Sequence, residues 1–85
     1  EPEAVEVLNN LGVALYLSGR KEEALSQYRR AIEIDPVDPA AYYNAGVQLI
    51  KEGEEDAART YLEKSVKLAP AHRPARRAME MIVEE

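Results

Sequence analysis

Apolar residues recur along this chain at spacings of three and four, and the stripes they form are interrupted at the same places twice. Leu8, Leu11 and Leu15 mark one stripe, and Ala24, Tyr28, Ala31 and Ile32 mark a second. Such spacing gathers apolar side chains on one face of an α-helix. The stripes part at Ser18-Gly19, and a matching break falls at Glu52-Gly53. Glycine tolerates the left-handed backbone that ends a helix and turns the chain sharply. Pro36 and Pro70 forbid continuation further on. Asp38-Pro39 then restarts the chain, because aspartate caps orphan amides and proline fits the first helical position. The pattern predicts four helices, over about 4–18, 21–35, 39–52 and 54–69. A fifth is expected at about 74–84, with Ala75, Ala78, Met79 and Ile82 facing inward and Arg76, Glu80 and Glu84 outward.

The doubled pattern is a repeat. Shifting the chain by 34 residues superposes Asn10 on Asn44, Gly12 on Gly46, Val13 on Val47, Leu15 on Leu49, Gly19 on Gly53, Ala24 on Ala58 and Pro36 on Pro70. Ordinary residue usage would give about two such identities across a unit of this length. Conservative pairs join them at the same offset, among them Ile32 with Val66 and Ile34 with Leu68. In unit, spacing and breakers the chain resembles the tetratricopeptide repeat family. Its signature sites are matched by Leu8, Leu11, Gly12, Leu15, Ala24, Tyr28, Ala31 and Pro36 in the first unit. Tyr42, Ala45, Gly46, Leu49, Ala58, Leu62, Ser65 and Pro70 match them in the second. The resemblance covers residues 5–72. It departs at Arg59, which holds the slot of Leu25. It implies an all-α, right-handed α-solenoid of two antiparallel helix-turn-helix repeats, residues 5–38 and 39–72, closed by a capping helix in 73–85. Gly12 and Ala24 are expected where the paired helices cross closely. The whole chain then forms one domain, expected to be a segment of a longer protein.

Charge and composition narrow the function. The 85 residues carry 16 acidic and 11 basic side chains, a net charge of -5, with both signs spread along the chain. No basic stripe able to track phosphates is apparent, which argues against nucleic acid. No apolar run approaches the ~20 residues that cross a bilayer, so a soluble domain without membrane contact is expected, with the cytoplasm favoured. Cysteine is absent, which removes thiolate chemistry and sulfur-ligated metals. His72 is the one histidine and reads as a solvated loop residue. Glu52, Glu54, Glu55 and Asp56 lack the alternation of a calcium loop and read as the acidic start of a helix. No catalytic set, cofactor or metal is expected.

Binding is the better reading. In arrays resembling this one, the first helix of each pair lines an extended concave groove. The 34-residue offset places Asn9, Tyr43 and Arg77 in one row, Asn10, Asn44 and Ala78 in a second, and Val13, Val47 and Met81 in a third. Tyr16, Leu17, Ile50 and Lys51 extend the groove toward the helix ends. Asparagine amides both donate and accept, and so suit the peptide bonds of a strand-like ligand. The apolar and aromatic members suit its side chains, and Arg77 and Lys51 suit a carboxylate. The expected role is a protein–protein interaction module binding a partner's extended peptide. The alternative is self-association of copies through an open N-terminal side near Val5, Val7 and Leu8. Some members of the family clamp acidic chaperone tails with basic residues and asparagines. Here Val13, Pro74 and Ala78 stand at positions of that clamp, which disfavours such a ligand.

Overall fold

A computed structural model of the chain describes residues 2–82. Its helices are α1 (Pro2–Leu17), α2 (Lys21–Ile34), α3 (Pro39–Lys51), α4 (Glu55–Leu68) and α5 (Arg73–Glu80). The first four fall within a residue or two of the expected spans. α5 is shorter than expected. It ends at Glu80 in a turn where Met81 and Ile82 donate backbone bonds to Ala78 and Met79, and positions 83 and 84 of the predicted span lie outside the described residues.

Both glycine breaks close in the same way. Gly19 and Gly53 have φ of 90° and 82°. After each, the chain reaches back over the last helical turn. Arg20 N donates to Leu15 O at 2.8 Å and Gly19 N to Tyr16 O at 3.0 Å, while Glu54 N donates to Leu49 O at 2.9 Å and Gly53 N to Ile50 O at 3.0 Å. These are the six-to-one and five-to-two bonds that satisfy the orphan carbonyls of a helix end. α3 starts as its sequence indicates, with the Asp38 side chain accepting from Ala40 N and Pro39 at the first position. α2 and α4 have no side-chain cap and rely on Glu22 and Glu23, or Glu55 and Asp56, in their first turns, where acids complement the helix dipole.

α1 packs on α2 and α3 on α4, while α2 touches α3, α4 touches α5, and α1 lies beside α3. The shortest dimension of the Cα trace is 17 Å, room for two helix layers at the usual ~8–10 Å interaxial spacing. α1, α3 and α5 form one layer, and α2 and α4 the other. The core runs between the layers through Leu8, Ala24, Tyr28, Ala31, Ala45, Leu49, Ala58 and Leu62. Gly12 lies against the ring of Tyr28, whose edge fills the space of a side chain, and Gly46 lies likewise against Leu62. The close crossing is thus made by glycine under a large side chain, where the sequence pointed to glycine against Ala24. Leu11 also departs from its stripe, being 44% exposed.

The two ends of the array differ. Val5, Leu8 and Gly12 of α1 meet α2, and their counterparts Pro39, Tyr42 and Gly46 lie toward α4. At the same repeat positions α5 carries Arg73, Arg76 and Glu80, all exposed. α5 buries Ala75, Ala78 and Ile82 and turns a polar face outward. The opposite end has no such face. Ala41 and Ala45 are buried in α3, but their counterparts Val7 and Leu11 are 62% and 44% exposed on α1.

Candidate functional site

α1 and α3 stand side by side, and Asn9 and Asn44 meet between them, with Asn44 Nδ2 donating to Asn9 Oδ1 at 3.3 Å. The repeat offset pairs Asn10 with Asn44, yet the bond crosses rows, since neighbouring helices in the layer are displaced. Asn9, expected to be open to a ligand, is therefore buried in the wall. Asn10 remains exposed. Two amides of this group, Asn9 and Asn44, are engaged with each other, while that of Asn10 faces solvent.

Two clefts open along this pair of helices. Toward the C-terminal ends of α1 and α3 lies a cavity of about 150 Å³ walled by Val13, Tyr16, Leu17, Tyr43, Asn44, Val47 and Lys51, with Tyr28 and Gln48 beneath. These seven wall residues are all among those expected to line the groove. Lys51 Nζ stands 5.6 Å from the centre of the Tyr16 ring, a cation–π contact that holds the ammonium at the rim. Burial, and secondarily the nearby Tyr16, push the Tyr28 phenol above its ordinary value of 10.0. Toward the N-terminal ends lies a wider cleft of about 510 Å³, lined by Asn9, Asn10 and Asn44 together with Glu3, Glu6, Asp38 and Ala40. The acids of this cleft were not expected, although Glu3 and Glu6 already stand three apart on one helix face.

The remaining expected residues are spread more widely. Ile50 is half-buried against the core, so it supports the groove from behind. Arg77 and Met81 are exposed, Arg77 sharing a shallow cleft of about 290 Å³ with Arg73, Arg76 and Glu80. Residues 64–79 contain five basic side chains and no acid (Lys64, Lys67, Arg73, Arg76 and Arg77), and three of the five meet on α5. His72 joins the groove side through an edge-on contact with Tyr43, ring centres 5.2 Å apart.

Sequence reasoning missed Gln48. Its Nε2 donates to Lys21 O and Glu52 Oε2, both at 2.8 Å, and so ties α3 to the first turn of α2. The side chain is 2% exposed, and its Oε1 has no partner. The one available signal was polarity inside an apolar stripe, since its counterpart in the first unit is Ala14. Of the other tyrosines, Tyr42 donates its hydroxyl to Pro36 O at 2.9 Å. Its ring lies 6.5 Å from that of Tyr61, beneath the helix layer rather than in the groove.

The repeats are visible to comparison as well as to geometry. The TPR repeat family matches residues 14–53, and the tetratricopeptide repeat family matches 39–72. Over 59 residues the chain is 41% identical to a rice protein named probable UDP-N-acetylglucosamine–peptide N-acetylglucosaminyltransferase SPINDLY, covering 69% of this chain and 6% of that protein. It is 34% identical over 65 residues to human tetratricopeptide repeat protein 6, covering 76% and 12% of the two. It is 30% identical over 78 residues to the photosystem I assembly protein Ycf3 of Acaryochloris marina, covering 75% and 47%. The chain spans less than half the length of each of these relatives. Two helical hairpins of 34 residues, glycine under a large side chain at both crossings, and matches that run through both units have one explanation: the chain belongs to the tetratricopeptide repeat family.

Proposed function

We propose that this chain is an interaction module that holds an extended peptide of a protein partner along α1 and α3, and that it acts by binding rather than by catalysis. The observation that carries this reading is the cavity between Val13, Tyr16, Tyr43 and Val47, an apolar recess beside the exposed amide of Asn10. Apolar and aromatic contacts supply most of the energy of small interfaces, and the amide answers the peptide backbone. The matched region consists of repeats, a class of structure whose stacked helices present binding surfaces. The transferase activity in the name of the rice relative is that protein's. Selection of peptides on the wild-type chain from a displayed random library provides the test. Tyr43→Ala with Val47→Glu should weaken the selected peptides at least tenfold, and undiminished binding refutes use of the groove.

A second reading is supported by the exposed Val7 and Leu11, which stand where the second repeat buries Ala41 and Ala45. An apolar helix face of this kind suits a second copy packed on α1. Light scattering showing a monomer at millimolar concentration would remove it.

A further inference from the structure

The two clefts on α1 and α3 differ in charge, and the difference has a fixed direction. Resting on the groove reading above, we propose that the groove selects peptides carrying a basic residue three positions from a bulky apolar one. The apolar side chain occupies the cavity at Tyr16, Tyr43 and Val47, and the basic side chain occupies the mouth between Glu6 and Asp38.

The volume fixes the anchor. An apolar cavity of roughly 150 Å³ accepts a group the size of benzene, and the cavity here is about 150 Å³. Its upper wall is apolar and aromatic apart from Asn44 and the rim residue Lys51. Gln48, which lines it from below, brings a buried carbonyl oxygen already short of a donor, and a second acceptor alongside would add to that deficit. A leucine or phenylalanine side chain fills this volume, whereas an acidic side chain would answer only Lys51 at the rim.

Electrostatics fix the other end. Glu3, Glu6 and Asp38 line the mouth at the N-terminal ends of two helices, whose dipoles amount to about half a positive charge each. Three carboxylates against about one positive charge leave the mouth negative. Asp38 spends one oxygen on Ala40 N, while Glu3 and Glu6 are exposed. At the opposite end the Lys51 ammonium over Tyr16 repels a cation from the cavity. A basic residue and an apolar residue are thereby sorted to opposite ends.

The separation follows from helix geometry. Glu6 to Val13 and Ala40 to Val47 are both steps of seven residues, about 10 Å at the ~1.5 Å rise of an α-helix. An extended peptide advances ~3.3 Å per residue, so three residues bridge the two clefts. The exposed Asn10 lies between them, opposite the peptide bonds of the intervening pair.

The test uses capped synthetic octapeptides, uniform in serine and glycine except for one arginine and one leucine set one, three or five positions apart, in both orders. Binding is read by NMR shift titration of the whole chain at low salt. One order of the three-position peptides should bind at least fivefold tighter than the one- and five-position peptides. Glu6→Lys should remove that preference, and exchanging the peptide's arginine for glutamate should restore it in the Glu6→Lys chain. If leucine peptides shift Val13, Tyr43 and Val47 equally at every arginine position, the charge register is wrong while the groove stands. If no peptide shifts those residues, both readings are overturned.

Discussion

A methyl group added at Gly46 would sit 2.5 Å from Leu62 Cγ, and Leu62 is fully buried. Overpacking of this kind costs about 1–3 kcal/mol because neither helix backbone nor core side chain yields freely. Gly46→Ala should therefore lower the unfolding free energy by that amount, seen as a lower urea midpoint with an unchanged slope, and Gly12→Ala should do the same against Tyr28. Tyr28 makes a second prediction. Its folded pKa lies above the unfolded value of 10.0, so above pH 10 the folded chain holds a proton that the unfolded chain has lost. Stability from this group is complete below pH 10 and falls as pH rises toward the folded value. Thermal melts from pH 9 to 11 should show an alkaline decline that is shallower in Tyr28→Phe. Both glycines and Tyr28 were legible as core positions, because small and aromatic residues recur at fixed repeat sites. Gln48 was not, because its partner is a backbone carbonyl 27 residues away, and nothing in local sequence marks a carbonyl as needing a donor.

Helix limits were readable wherever a breaker is written into the chain. Gly19, Pro36, Asp38 and Gly53 set the ends of the first four helices to within about two residues, the usual scatter of helix boundaries. α5 has no glycine after it, and its end is set by tertiary contact. Its last inward residue, Ile82, is 6% exposed and follows the turn. Gly53 allows a separation of two costs. No atom lies within 4 Å of a Cβ placed there, but its φ is 82°. Gly53→Ala should cost about 1–2 kcal/mol from the left-handed backbone alone, less than a clash at Gly46 can reach, and Gly53→Asn should recover part of it. Urea titration of the three variants measures the difference. The face shared by α1 and α3 was legible as rows, because equivalent positions of a repeat share a face. The Asn9–Asn44 bond was not, since the displacement of α1 against α3 decides which rows meet.

At the scale of the molecule, repeat positions show what each end still lacks. Val7 and Leu11 occupy sites that the second repeat buries. In sedimentation velocity at high concentration, any self-association should vanish in Val7→Glu with Leu11→Glu, leaving the 9.5 kDa species. The double variant should cost little stability, since both positions face water in the single chain. The acidic cleft and the run of arginines escaped a reading by net charge, because a single total hides an acidic start and a basic stretch over 64–79 that offset each other.

Arg73, Arg76 and Glu80 give the assembly a direction of growth. A further hairpin laid against α5 at those positions would have to desolvate two guanidinium groups and a carboxylate where the first met valine, leucine and glycine, which costs more than covering the apolar face of α1. Additional units, whether from one polypeptide or from many, are therefore favoured on the α1 side, where Val7 and Leu11 offer them an apolar surface to cover.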